Sequence, residues 1–152
     1  MDLDFLTAPT IDLALGGATR DAALRALVDR LGTALPDLAL DRDGLTRALL
    51  DREALGSTGV GMGVAVPHCK WKGVERIVGA LGRSVAGVEF GARDGKPVRL
   101  FFLVVSPVNA SGPHIRVLAA VSRLVRDAAL RDALLAAPTV DAVLASIRAA
   151  GG

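Results

Sequence analysis

The sequence predicts helices packed around a central β-sheet, in the α/β or α+β class, and three observations predict it. Apolar residues recur at helical spacing in the first third of the chain. The middle third changes to short β-branched or apolar runs punctuated by glycine, and helical spacing then returns. At 152 residues, one domain over 1–152 is the economical reading, large enough to bury a core around one site.

Thr19 can cap "RDAALRALVDRLG", where Ala22, Ala23, Leu27, Val28 and Leu31 recur at helical spacing and Gly32 serves as a stop. After a turn at Pro36-Asp37, "RDGLTRALLDREAL" from Arg42 reads as a second helix, capped by Asp41 or Asp43. It leads into the glycine-dense stretch "LGSTGVGMG", Leu55 to Gly63. "VAV" (Val64 to Val66), "RIVGALGRSV", "GVEF" and "VRLFFLVVS" read as strands, with "ARDGKP" as a turn. Beyond "SPVNASGPH", Ile115, Leu118, Val121 and Val125 share a helical face. Two shorter helices, "AALRDALLAA" and "TVDAVLASIRAA", complete the set.

Composition removes several function classes. The net charge of +2 is spread along the chain and aromatics are scarce, which argues against nucleic-acid binding through a basic face or a stacking platform. A lone cysteine forms no internal disulfide, and "MDLDFL" lacks the basic start and apolar core of a signal peptide, so a cytoplasmic setting is expected. The apolar run Leu100 to Val105 is far shorter than the roughly 20 residues needed to cross a bilayer, and no membrane insertion is expected.

The residues with chemical potential gather around "VAVPHC", Val64 to Cys69. Pro67 has no N–H for a sheet ladder, so pairing should end there and leave His68 at a strand edge. Neutral imidazole carries a nucleophilic nitrogen, and a hydrogen bond to its other nitrogen selects the tautomer. Those are the properties of a phosphoryl acceptor, although a histidine at a strand end is also common as a structural residue. His114 follows "SGP", a helix-entry signal, and from the first turn it could donate to a phosphoryl oxygen or pack as a cap or core residue.

The surrounding residues are compatible with either use. Glycines 56, 59, 61 and 63 permit a tight backbone, but the stretch matches neither Gly-x-Gly-x-x-Gly nor a loop ending in Gly-Lys-Ser/Thr. Arg52 could pair with phosphate or a partner carboxylate, and the Ser57 and Thr58 hydroxyls could bind a phosphoryl oxygen or orient the imidazole. Adjacent side chains in an extended segment point to opposite faces, so Cys69 should not share a metal or a proton with His68. A packed, inert thiol is expected there, and zinc would need further ligands.

Together these residues resemble a known family. "REALGSTGVGMGVAVPHC", Arg52 to Cys69, is similar to the active-site segment of the fructose-, mannitol- and nitrogen-type enzyme IIA domains of the bacterial phosphoenolpyruvate-dependent phosphotransferase system. Glu53, the pair Val60-Gly61 and the aliphatic-Ala-aliphatic-Pro-His run stand at the family's spacing, and the similarity extends to the C-terminal helices. The resemblance implies an α/β sandwich with a mixed sheet and no metal or organic cofactor. It implies His68 as phosphoryl acceptor from the histidine-containing phosphocarrier protein, His114 as stabiliser of the phosphoryl group, and Arg52, Ser57 and Thr58 as phosphate- or partner-binding residues.

The segment "REALGSTGVG" most resembles the nitrogen-regulatory branch, in which phosphorylation state tunes binding to target proteins. The alternatives are a sugar-specific enzyme IIA that passes phosphate to a cysteine of an enzyme IIB, or a regulatory module that no longer cycles phosphate. Two positions depart from the family pattern: Met62 stands where asparagine is frequent between the two glycines, and Cys69 where glycine follows the histidine. A side chain at 69 demands ordinary L-residue backbone angles.

Overall fold

The structure is a computed structural model and describes residues 2–152. Its elements run β1 (Ile11–Asp12), α1 (Arg20–Ala34), α2 (Arg42–Ala54), β2 (Gly59–Gly61), β3 (Val64–Ala65), β4 (His68–Lys70), β5 (Val78–Val88), β6 (Val98–Ser106), α3 (Ser111–Val125), α4 (Ala128–Ala136) and α5 (Val140–Ala149). The sheet order is β1-β5-β6-β3-β2, and β4 also pairs with β6. The β5–β6 and β2–β3 pairs are antiparallel, while β1–β5, β3–β6 and β4–β6 are parallel, so the sheet is mixed.

Two-residue alternation along β6 divides the core into two layers. Leu100, Phe102 and Val104 pack with Val117, Val121 and Leu124 of α3 and with residues of α4 and α5. Phe101, Leu103 and Val105 pack instead with Leu24, Leu27 and Leu31 of α1 and Leu45 and Leu49 of α2. Both faces of the strand are covered, which is why "VRLFFLVVS" reads as one apolar run instead of an alternating one.

Local chemistry starts the helices where polar caps stand. Thr19 accepts from Ala22 N at the head of α1, and Asp41, rather than Asp43, accepts from Gly44 N at the head of α2. Gly32 does not stop α1, which continues to Ala34. It is buried within the helix, and a Cβ at that position would stand 2.5 Å from Arg42 Nε, so glycine makes room for the Arg42 side chain. Ala22 is exposed and Leu24 takes its place on the buried face.

Three further expectations are corrected. "RIVGALGRSV" and "GVEF" are not separate strands: β5 runs through Val88, with a register shift between Arg83 and Val88 opposite β6. The buried face of α3 is His114, Val117, Ala120, Val121, Leu124 and Val125; Val121 and Val125 lie on it as expected, whereas Ile115 is 66% exposed and Leu118 only half-buried, so the first turns present His114 and Val117 inward instead. Pro67 does not end pairing. Its carbonyl accepts from Val104 N at 2.9 Å, and the next three residues continue as β4 beside β6. Proline withholds only a donor, and its acceptor carries the ladder across the gap between β3 and β4.

Candidate active site

The strand register builds the site. His68 lies beside Val104 and Lys70 beside Ser106, on adjacent parallel strands. Continuing the alternation from Leu100 through Phe102 and Val104 puts Ser106 on the sheet face that α3 covers. His68 and Lys70, the first and last residues of β4, share that face beside the C-terminal end of β6, next to the first turn of α3. Open α/β sheets commonly place ligand sites at such strand ends.

The two imidazoles stand with ring centroids 5.6 Å apart and planes inclined by 55°. His68 Nδ1 lies 2.7 Å from the Val66 carbonyl oxygen. A carbonyl only accepts, so Nδ1 carries the hydrogen and Nε2 carries the lone pair. His114 is 8% exposed, its backbone N–H is satisfied by Ala110 O within the helix, and its Nδ1 lies 2.6 Å from Ser106 Oγ. Lys70 Nζ donates to Ser111 Oγ at 2.7 Å and ties β4 to the head of α3.

Both rings are held neutral. Burial pushes the His68 pKa below the ordinary histidine value, opposed by the Val66 hydrogen bond, with the Arg52 charge lowering it further and the Glu53 charge raising it. Burial likewise lowers that of His114, assisted by repulsion from His68 and Lys70. An unprotonated Nε2 on His68 is therefore the resting state at neutral pH.

The glycine-dense stretch is a β2–β3 hairpin whose tip, Gly61-Met62-Gly63, is left-handed throughout, with φ of 91°, 59° and 75°. Met62 N donates to Asp94 Oδ2 at 3.1 Å, which anchors the tip to the 92–97 turn. Arg52, near the end of α2, donates from Nη1 to Gly56 O at 2.7 Å, and its charge still reaches His68. Ser57 Oγ accepts from Gly59 N at 3.0 Å. The Thr58 hydroxyl donates to the Glu53 carboxylate and Val66 N donates to Thr58 O, so Thr58 holds the loop against the strand that presents His68.

Cys69 points away from His68, into the layer of α1 and α2, and burial pushes its thiol up to about 12. It lies in β4 with φ outside the left-handed region, so the side chain in place of glycine imposes no strain there. Among the described residues, no group of three or more His, Cys, Asp or Glu side chains is placed to hold a metal ion. No helix among the described residues is long and apolar enough to cross a membrane.

Residues 4–150 match the family described as "Phosphoenolpyruvate-dependent sugar phosphotransferase system, EIIA 2". The chain belongs to this type 2 enzyme IIA family. The enzyme IIA chain is 37% identical over 133 residues to the "PTS system fructose-specific EIIA component" of Haloferax volcanii, covering 86% of this chain and 85% of that protein. The crystal structure of the nitrogen regulatory protein IIA-Ntr from Neisseria meningitidis superposes with a TM-score of 0.84 at 31% identity, covering 95% and 97% of the two chains. The Escherichia coli complex of mannitol enzyme IIA with phosphorylated enzyme IIB contains a chain matched at TM-score 0.78 and 25% identity, with 94% and 96% covered. The mixed-sheet α/β sandwich expected of enzyme IIA is the fold observed, and the chain is similar to both nitrogen-regulatory and sugar-specific members.

Three participants at this enzyme IIA site were not singled out from sequence: the Val66 carbonyl, Ser106 and Lys70. The Val66 contact is local, two residues from His68. Ser106 and Lys70 become visible only once β4 and β6 are in register.

Proposed function

We propose that this enzyme IIA is a single-domain phosphohistidine carrier in which His68 accepts phosphate from the histidine-containing phosphocarrier protein. The observation that carries the reading is the pairing of the two imidazoles, with His68 Nδ1 bound to Val66 O and His114 within 5.6 Å of the ring that reacts. The His68 Nε2 lone pair attacks phosphorus in line. The P–N bond to the donor imidazole breaks, and its electron pair returns to that ring. The Val66 carbonyl stabilises the positive charge that develops on the His68 ring, and no external proton is needed.

His114 stabilises the transferred phosphoryl oxygens, and Arg52 and Ser57 offer donors at the rim to the phosphate or to an acidic partner surface. Thr58 contributes by holding the loop. We assign the chain to the nitrogen-regulatory branch on the "REALGSTGVG" segment, supported by its likeness to the Neisseria protein. The likeness to the Haloferax fructose-specific component favours a second reading, delivery of phosphate to an enzyme IIB cysteine, the kind of partner seen in the mannitol complex.

Incubation with a phosphoenolpyruvate-driven phosphorelay and intact-mass analysis tests the proposal. One acid-labile phosphate is expected on the wild type and none on His68→Ala. An unlabelled wild type overturns carriage and leaves a binding module, whereas onward transfer of label to an enzyme IIB favours the sugar-specific reading.

A further inference from the structure

The Ser106 hydroxyl is fully buried at the end of β6, and its hydrogen bond is to His114 Nδ1, at 2.6 Å. No other bond of this hydroxyl is found among the described residues. The geometry allows two assignments. If Nδ1 carried the hydrogen, Ser106 Oγ would accept it and the hydroxyl hydrogen would be left without an acceptor in a place water does not reach, a costly arrangement. If Ser106 donates, both groups are satisfied, and His114 carries its hydrogen on Nε2.

We infer that Ser106 is a positioning residue that fixes His114 as the Nε2–H tautomer, so that the second histidine meets a phosphoryl group on His68 as a neutral donor. The inference rests on the carrier reading above. It gives the two rings opposite polarity at Nε2, since the Val66 carbonyl leaves His68 with a lone pair there and Ser106 leaves His114 with a hydrogen. A hydrogen bond to one imidazole nitrogen sets the state of the other. Both partners belong to the sheet side of the site, because Val66 lies in the short link between β3 and β4, Ser106 ends the adjacent β6, and α3 delivers only the receiving ring.

Two measurements on the full chain test it. In nitrogen-15 spectra of the unphosphorylated protein, above the ordinary histidine pKa of about 6.5, His114 should show a bare Nδ1 and a hydrogen-bearing Nε2. In Ser106→Ala the two tautomers should exchange. Phosphorylation of His68 in Ser106→Ala should be slower by about tenfold, less than the roughly 100-fold or more that outright loss of a transition-state donor costs, because the ring remains and only its tautomer is released. In a His114→Ala background the same substitution should have no further effect.

A hydrogen-bearing Nδ1 on His114 in the wild type overturns the inference. So does unchanged labelling of Ser106→Ala, or equal slowing in the His114→Ala background, which would mark a merely structural serine. Failure of the wild type to take label overturns the carrier reading itself, and the tautomer spectrum, which needs no phosphate, is read independently of it.

Discussion

Glu53 grips Thr58 at both ends: its carboxylate accepts the Thr58 backbone N–H at 3.0 Å and also the Thr58 hydroxyl. Glu53 is 5% exposed, and its charge acts on His68, raising that pKa against the effect of burial. The pair closes the connection between α2 and the hairpin, and Val66 N donating to Thr58 O passes that constraint to the histidine's own strand. Glu53→Ala leaves two buried donors unpaired and is expected to cost about 2 kcal/mol, read as a lowered denaturant midpoint. Glu53→Gln, which keeps one acceptor, should cost less.

The hairpin tip carries strain at one residue. Met62 has φ of 59° and is 46% exposed, so it adopts a left-handed conformation without much burial in return. Asparagine tolerates that region better than a long unbranched side chain, and Met62→Asn should stabilise the protein by about 1 kcal/mol. Chemical denaturation checks it, and a destabilised variant would mean that Met62 makes a contribution its exposure conceals.

Much of this architecture was legible beforehand because it rests on local chemistry. Thr19 and Asp41 are polar caps at the head of apolar periods, and the glycine loop and His68 sit in a contiguous segment. What was not legible depends on residues far apart. The first turn of α3 faces the core with His114, which reaches back to Ser106 on the sheet, and so leaves Ile115 outside. Gly32 reads as a stop until Arg42 of the next helix is seen to pass beside it. Pro67 reads as an end because sequence records its missing donor and not the acceptor that Val104 uses.

Acid should act on the two histidines together. Both have pKa values lowered in the folded protein, chiefly by burial, so the unfolded chain binds protons at higher pH than the native one. Stability contributed by these groups is full above about pH 6.5 and declines as pH falls below it. Urea unfolding between about pH 8 and pH 5.5 should show this decline. In the His68→Ala/His114→Ala double variant the dependence over that range should flatten.

The thiol should be a bystander. With its pKa pushed up to about 12 and its side chain packed against the α1–α2 layer, Cys69 should resist alkylation in the native state and react readily in urea. Cys69→Ala should accept phosphate at the wild-type rate. A marked loss of labelling would mean that the substituted position after the histidine does shape the site.

The central claim concerns one atom, His68 Nε2, left available because Val66 O accepts from Nδ1. Phosphorylating the nitrogen-15-labelled protein with the phosphorelay and reading the phosphorus–nitrogen coupling of the imidazole locates the new bond. The account predicts a single phosphohistidine, bonded through Nε2 of His68. Phosphate on Nδ1 of that ring, or on His114, would contradict it.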